Sequence, residues 1–141
     1  MDKALCQVIE KLQDVSVATV ATALFKRGLR NQVIQGVHPV QKVHSDQSNR
    51  PVRNMVGPAF TLRYMPARED RNQITEFQNP QHPQRQAVEQ CPVGYVLVMD
   101  SRKDARAASA GDILITRLMV RGAEGIVTDG GFRDSMAIAE L

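Results

Sequence analysis

The sequence of 141 residues has few cysteines and no long apolar run, and each shortage excludes a class of protein. Cys6 and Cys91 lie far apart without CxxC spacing, so neither a disulfide framework nor a zinc site is expected. No apolar stretch approaches the roughly 20 residues that a membrane helix needs. The first residues also lack the basic and then apolar pattern of a secretory signal. We therefore expect no membrane partner and a cytoplasmic location.

The net charge is small and histidines are few. The 18 Lys+Arg and 15 Asp+Glu leave a net charge of +3, and the charges are scattered. Such a distribution does not indicate a nucleic-acid partner and fits an acidic small molecule better. His38, His44 and His82 show no helical metal-site spacing, so we expect loop or surface roles for them. No GxGxxG loop follows an early strand, which argues against nucleotide-dependent methyl transfer.

Length and composition predict one domain covering residues 1–141. A hydrophobic content of 43% is ordinary for a globular core. Helical and strand-like patterns alternate, which predicts an α/β fold. The predicted order in the first part is helix 2–14, helix 16–28 with a cap at Ser16 or Asp14 and a stop at Gly28, an irregular strand 33–43, a loop 45–53, a strand 55–64, a polar surface segment 66–83 and a helix 84–90.

The last third of the chain predicts a βαβ unit. The apolar run Tyr95–Met99 indicates a buried strand. A polar and alanine-rich flexible stretch, 101–110, follows it. A helix from Gly111 to about Arg121, a strand at 125–128 and an apparent helix from Ser135 complete the pattern. A strand, a helix and a strand at this spacing form a right-handed crossover, and ligands bind at the carboxyl ends of such strands.

The most informative stretch of the chain, GDILITRLMVRGAEGIVTDGGFRD, spans Gly111 to Asp134. Twenty residues, 113–132, separate Asp112 from the pair Arg133 and Asp134. One helix plus one strand uses about this length before the chain returns to the same end of the sheet. We therefore expect the three side chains to converge.

At the helix start, the expected pocket offers hydrogen-bond donors. The amides of Ile113 and Leu114 have no partner within the helix, so they can donate to a carboxylate or a developing enolate oxygen. Gly111 lets the backbone approach closely. Arg133 offers a planar fork for bidentate contact with a carboxylate.

Two carboxylates complete the expected pocket. Asp134 supplies a hard oxygen ligand of the kind that Mg²⁺ uses together with several waters. Asp112 would hydrogen-bond a water held by the cation and tune that water's pKa. Together with the guanidinium and the helix amides, these groups would stabilise negative charge on a 2-oxo acid as it becomes an enolate.

Structural explanations stand beside these roles. Asp112 can be a first-turn residue that the helix dipole favours. The pair Gly130 and Gly131 can be only a turn, and an Arg-Asp pair is common at surfaces. Loop polarity and capping explain Asp100 and Asp104, and Asp129 is expected to shape its loop. The charged run at 68–71 is expected to be a solvated surface.

Taken together, these residues resemble the family of the regulator of ribonuclease E activity A and the class II 4-hydroxy-4-methyl-2-oxoglutarate / 4-carboxy-4-hydroxy-2-oxoadipate aldolases. The motif that carries the resemblance is an Asp, twenty residues, and an Arg-Asp pair, seen here in GDIL and VTDGGFRD. SVATVATALFKRGL at 16–29 and VGPAFTLRYMPARED at 56–70 add to it.

The resemblance implies a lyase that uses Mg²⁺ or Mn²⁺ and cleaves a 4-hydroxy-2-oxo acid to pyruvate and a second 2-oxo acid, with possible oxaloacetate decarboxylation. Asp134 would bind the cation and Arg133 the substrate. Asp112 would act through water on the cation, and the amides of 111–114 would receive the pyruvoyl group. The implied fold is an α/β sandwich of the swivelling type, assembled as a homo-oligomer, either a trimer or a hexamer.

Members of that family continue past the Arg-Asp pair through strands that complete the sheet, whereas this sequence stops at Leu141. We therefore expect a domain that lacks the family's C-terminal strands. Two alternatives stay open. One is a non-catalytic protein that regulates a ribonuclease by binding it, and the other is an inactive fragment.

Overall fold

In the computed structural model, the residues described are 2–40, 54–65, 67–68 and 70–141. The predicted loop at 45–53 and His44 lie outside the described residues, as do 41–43 of the predicted irregular strand. Residues 33–40 form turns, bends and irregular chain without a strand, so the prediction is wrong over this part. Gly36, with a positive φ of 78°, places a turn where a strand would need extended backbone.

The two N-terminal helices form where the apolar spacing predicts them. Helix α1 spans Lys3–Gln13 and helix α2 spans Val17–Lys26. Ser16 caps α2, because its hydroxyl accepts a hydrogen bond from the Thr19 amide at 3.1 Å. Gly28 ends the helical region with a φ of +84°, a conformation that favours glycine. Both the cap and the stop predicted from sequence are therefore confirmed.

A three-stranded parallel sheet forms the centre of the fold. Strands β1 (Ala59–Arg63), β2 (Val96–Asp100) and β4 (Gly125–Thr128) lie in the order β1-β2-β4. All pairings are parallel, as predicted for the βαβ unit. Strand β1 is shorter than the predicted 55–64 and lies at the edge of this sheet. Its start fits Pro58, which has no amide to donate and instead accepts a bond from the Val96 amide at 2.9 Å.

A second, two-stranded parallel sheet was not predicted. It pairs β3 (Ala108–Ala110) with β5 (Gly131–Phe132). The prediction of flexibility for 101–110 is wrong at its last three residues. Alanine and serine have little intrinsic strand preference, so only the pairing with β5 makes this segment a strand.

Three helices pack near the two sheets. Helix α3 spans Pro83–Gln90, α4 spans Asp112–Val120 and α5 spans Ser135–Ile138. The surface segment before α3 contains a short 3₁₀ helix at Ile74–Gln78. None of the helices in the described part of the chain is both long and apolar enough to cross a membrane.

The core lies between the three-stranded sheet and helices α3, α4 and α5. Leu97, Leu118 and Cys91 are its most deeply buried side chains. Other buried members are Ala87, Val88, Met99, Ala110, Ile115 and Ile138. The core therefore lies beside the segment that carries the Asp112 and Arg133-Asp134 motif. Core packing on both sides of Gly111, at Ala110 and Ile115, fixes the start of α4.

Candidate functional site

The two ends of the motif meet at Gly111. A Cβ atom built on this residue would lie 2.9 Å from Asp134 Oδ2 and 3.3 Å from Arg133 Nε. Both side chains of the pair therefore lie directly against the backbone at the start of α4. Gly111 has extended backbone, so a larger residue would be excluded by contact and not by backbone conformation.

The second sheet produces this meeting. Strand β3 ends at Ala110, one residue before Gly111, and β5 ends one residue before Arg133. Because the two strands are parallel, their carboxyl ends lie side by side. The Arg133 amide continues the pairing by donating to the Ala110 carbonyl at 2.9 Å. The strand pairing thus brings together residues that are more than twenty positions apart in sequence.

Asp134 has an unusual backbone conformation. Its φ of +60° and ψ of +34° lie in the left-handed region, which Asp and Asn tolerate better than most residues. Its side chain makes no capping hydrogen bond to α5. The carboxylate is instead directed to Gly111 and lies 3.7 Å from Arg133 Nε. Such a conformation at a residue other than glycine persists only where the surrounding structure holds the residue in place.

The start of α4 differs in one detail from the expectation. No side chain caps this helix, since Gly111 occupies the capping position. The Ile113 amide, however, donates to Asp112 Oδ1 at 2.7 Å. This contact matches the structural explanation of Asp112 as an acid in the first turn of a helix. It also occupies the Ile113 amide, one of the two amides that were expected to face a ligand.

The donor set fits a cation that keeps most of its water. Among the residues that the structure describes, no cluster of three or more Asp, Glu, His or Cys side chains is placed to hold a metal. The Asp134 side chain is 44% exposed, so its carboxylate is open to solvent. Mg²⁺ is usually held by one or two carboxylates plus waters and substrate oxygens. Asp134 suits this mode and does not suit a closed protein cage.

Other acidic residues near the strand ends have structural partners. Asp129 accepts hydrogen bonds from the amides of Ser101 at 2.6 Å and Lys103 at 3.0 Å, so it shapes a loop as expected. The side-chain hydrogen bond from Arg106 lowers the pKa of Asp104 to about 2. Asp104 is thus part of a surface ion pair.

Asp100 also fits the structural explanation. It accepts a hydrogen bond from the Arg102 amide at 3.0 Å and pairs with Arg63 Nε at 2.7 Å. Both hydrogen bonds lower the pKa of Asp100, and the one from the Arg102 amide has the larger effect. In the charged run at 68–71, Arg68 pairs with Asp70 on an exposed surface, and Glu69 lies outside the described residues.

His82 has a local role. It caps α3, since its Nδ1 accepts a hydrogen bond from the Gln84 amide at 3.3 Å. Its ring centroid lies 5.4 Å from that of Phe77. The structure therefore gives His82 a capping role at a helix start, in keeping with its expected loop or surface position.

A buried group of hydroxyls near the motif was missed by sequence reasoning. Ser101, Ser109 and Thr128, here called the hydroxyl cluster, come from three different segments and touch one another. Ser101 and Thr128 each follow or end an apolar strand, where a buried hydroxyl has to find a partner. That position is the only sequence signal of the cluster, and it is weak.

Two surface concavities lie away from the motif. One of about 430 Å³ is lined by residues of α2 and Arg27. Another of about 250 Å³ is lined by α1, Gly94 and Glu124 among others. Neither includes Gly111 or the Arg133-Asp134 pair. The side chains of Arg133 and Asp134 are instead 76% and 44% exposed, so the candidate site lies at an open surface of the described part of the chain.

Comparison with known proteins gives a family match over most of the chain. A family model described as RraA-like, Aldolase/RraA, matches residues 10–141, which include all of the motif. A crystal structure of RraAS2 from Streptomyces coelicolor, described as an unusual member of the RNase ES inhibitor RraA protein family, is 29% identical with a TM-score of 0.72. The match covers 100% of this chain and 60% of that one.

A second solved structure supports the fold alone. An uncharacterized protein from Pseudomonas syringae pv. tomato is 22% identical with a TM-score of 0.63. The similarity covers 96% of this chain and 52% of that one. The present chain therefore spans between half and two thirds of the length of these two proteins.

Proposed function

The chain belongs to the RraA-like family, described as Aldolase/RraA, and from that premise we propose that it is a divalent-metal-dependent lyase. The proposed reaction is aldol cleavage of a 4-hydroxy-2-oxo dicarboxylic acid to pyruvate and a second 2-oxo acid, with oxaloacetate decarboxylation as a related activity. The observation that carries the proposal is the placement of Arg133 and Asp134 against Gly111 at the uncapped start of α4.

The groups at this position suit the charge of the substrate. The guanidinium of Arg133 is 76% exposed and can form a bidentate contact with the substrate carboxylate. The start of α4 adds the positive end of a helix dipole. Gly111, without a side chain, leaves the substrate free to approach the backbone.

In the cleavage step, the 4-hydroxyl group loses its proton and the bond between C3 and C4 breaks. The electron pair remains on the three-carbon fragment as pyruvate enolate, which then takes a proton at C3. Arg133 and the α4 dipole would stabilise the negative charge of that fragment. Asp112 would hold or move the proton through a water molecule, which requires its present bond to the Ile113 amide to be exchanged.

Mg²⁺ or Mn²⁺ bound at Asp134 would draw electrons from the 2-oxo and carboxylate oxygens and make nearby water more acidic. Arg133 lies close enough to Asp134 to compete for its carboxylate, at 3.7 Å. Transfer of the guanidinium from Asp134 to a substrate carboxylate would release the metal ligand and bind the substrate in one movement.

The test is pyruvate release by the purified chain from oxaloacetate and from 4-hydroxy-4-methyl-2-oxoglutarate, with Mg²⁺ or Mn²⁺. Protein-free samples with the same metal correct for decarboxylation by the ion alone. We expect release above that background, loss in EDTA and recovery on adding metal. Asp134→Asn keeps a residue that tolerates the left-handed backbone and should lower kcat/KM by roughly 100-fold or more.

Asp104→Asn is the matched control, because Asp104 is another carboxylate paired with an arginine. It should leave pyruvate release unchanged. Release that survives EDTA, or that is equal in the Asp134 and Asp104 variants, would contradict the proposal.

A second candidate function is regulation of a ribonuclease by direct binding, with or without catalysis. The relative from S. coelicolor, which belongs to the RNase ES inhibitor RraA family, favours it. A binding role does not need the motif. A ribonuclease pull-down that survives the triple change Asp112→Ala, Arg133→Ala and Asp134→Ala, together with no metal-dependent release, would support this candidate over the lyase.

We also propose that the chain works as a homo-oligomer, a trimer or a hexamer. Apolar side chains on α1 and α2, such as Leu5, Val17 and Phe25, are exposed in the single chain. Light scattering of the purified protein measures the assembly directly, and a monomer at working concentration would contradict this part of the proposal.

A further inference from the structure

We infer that the hydroxyl cluster of Ser101, Ser109 and Thr128 is a positioning device that fixes the loop carrying Arg133 and Asp134. This inference rests on the proposed function for its catalytic consequence, although its structural part stands alone. The three residues come from the end of β2, from β3 and from the end of β4. They are 9%, 3% and 7% exposed.

The cluster forms a closed triangle of hydrogen bonds. Ser101 Oγ lies 2.7 Å from Ser109 Oγ and 3.2 Å from Thr128 Oγ1. Ser109 Oγ lies 2.9 Å from Thr128 Oγ1. A hydroxyl has one donor and two acceptor positions, so each member can donate to one neighbour and accept from the other. The triangle therefore satisfies all three buried hydroxyls without water.

The triangle also holds the turn that leads to the motif. Thr128 Oγ1 has a free acceptor position and takes a hydrogen bond from the Gly130 amide at 3.0 Å. A Cβ on Gly130 would lie 2.7 Å from both Ser101 Cβ and Ser109 Oγ. Gly130 is thus fixed by contact and by one hydrogen bond at the point where the chain turns toward β5.

Hydrogen bonds next to the hydroxyl cluster also hold this part of the chain. Asp129, between Thr128 and Gly130, accepts bonds from the Ser101 and Lys103 amides on the facing loop. The Ser109 carbonyl accepts a bond from the Tyr64 hydroxyl at 2.9 Å. The turn is therefore held on both sides before the chain reaches Asp134.

A positioning device is needed because Asp134 is strained. A left-handed backbone at a residue other than glycine persists only when its surroundings determine it. Three residues, 131–133, separate Gly130 from Asp134, and two of them are paired to β3. Loosening Gly130 would therefore let Asp134 relax and move its carboxylate away from Gly111.

The test compares Thr128→Val, which removes the hydroxyl at equal shape, with Thr128→Ser, which keeps it. Amide hydrogen exchange is measured over 129–134 without metal or substrate. Exchange should be roughly tenfold faster or more in the Val variant and near wild type in the Ser variant. Mn²⁺ binding, followed by the paramagnetic resonance signal of free Mn²⁺, should weaken by about tenfold in the Val variant only.

Cys91→Ala is the matched control, since Cys91 is 1% exposed in the core and lies outside the hydroxyl cluster. It should lower Tm but leave exchange at 129–134 and Mn²⁺ binding unchanged. If Thr128→Val does not fold, Ser101→Ala opens the same triangle and is measured in its place.

Equal exchange at 129–134 in the Val variant and in wild type would overturn the inference. Faster exchange with unchanged Mn²⁺ binding would overturn its catalytic consequence, because the cluster would then hold the loop without affecting the carboxylate of Asp134. Wild-type protein that releases no pyruvate contradicts the proposed lyase instead, and the exchange comparison among the variants still decides whether the cluster holds the loop.

Discussion

The N-terminal helices and the three-stranded sheet with its packed helices are both rich in apolar residues, but they are packed very differently. In the sheet and its helices, Leu97 is 0% exposed and Leu118 is 2% exposed. Among the described residues, α1 and α2 have no buried side chain, and Leu5 is 37% exposed. Apolar spacing is thus enough to form a helix, but burial depends on a partner surface.

The two regions are also held by different kinds of contact. Parallel strand pairing and the hydroxyl cluster fix the site region. Asn54 contacts the connection between α1 and α2. Its backbone amide donates to the Gln13 carbonyl at 3.0 Å. Its side chain donates to the Leu12 carbonyl at 3.1 Å and to the Val15 carbonyl. Three hydrogen bonds from one residue thus contact the turn between α1 and α2, whereas strand pairing and buried hydroxyls hold the site region.

The largest expected effect is on stability, and it contrasts two leucines. Leu97→Ala should lower the free energy of unfolding by about 2–5 kcal/mol, because it leaves a cavity in the core. Leu5→Ala should cost less than about 1 kcal/mol, because Leu5 is on the exposed face of α1. Urea denaturation measures both. Equal losses would show that α1 is packed as tightly as the sheet in solution.

Two glycines test the contrast next. Gly111→Ala places a methyl group against Asp134 and Arg133 and should reduce kcat/KM by roughly 100-fold. Gly28→Ala, after α2, strains a positive φ but meets no described atom within 4 Å. It should cost about 1 kcal/mol of stability and leave activity unchanged. Full activity of the Gly111 variant would mean that the pair can move away without loss.

Asn54 offers a way to loosen one region without the other. Asn54→Ala removes two side-chain hydrogen bonds to the turn between α1 and α2. We expect a cost of about 1–2 kcal/mol and faster hydrogen exchange confined to 3–26. Unchanged exchange in α3 and α4 is the internal control, and acceleration there would show that the helices support the core after all.

The smallest expected effect is a pH dependence on the sheet side. Burial raises the pKa of Tyr64 above its ordinary value near 10. The unfolded chain therefore loses this proton first, so the stabilisation is complete below about pH 10 and is lost as the pH rises further. Tyr64→Phe should flatten the fall in stability between about pH 9 and pH 11, measured by urea denaturation. An identical slope would contradict this.

Much of the local structure could be predicted from sequence. Periodicity and caps placed α1, α2 and α3 within one or two residues. The continuous β-prone run at Tyr95–Met99 placed β2 within one residue, and the strand predicted at 125–128 matches β4. These predictions succeed because each element's preference lies in its own residues. The irregular strand predicted at 33–43 fails over its described part, because apolar residues there lack both a partner strand and an extended backbone at Gly36.

Strands β3 and β5 could not be predicted from local sequence preference. Their sequences, ASA and GF, carry almost no strand signal, and each is a strand because the other lies beside it. The hydroxyl cluster has the same origin, since Ser101, Ser109 and Thr128 have no pattern in common until the strands bring them together.

The sequence by itself determined the periodic helices, the apolar strands and the spacing of Asp112 from Arg133 and Asp134. Only the tertiary structure decided that Asp134 lies against Gly111 and that Asp129 accepts hydrogen bonds from the amides of Ser101 and Lys103. The physical reason is the distance along the sequence over which each interaction acts. Backbone preference and capping act over a few residues, whereas the partner of a carboxylate or a strand depends on which distant groups the folded chain brings within hydrogen-bonding distance.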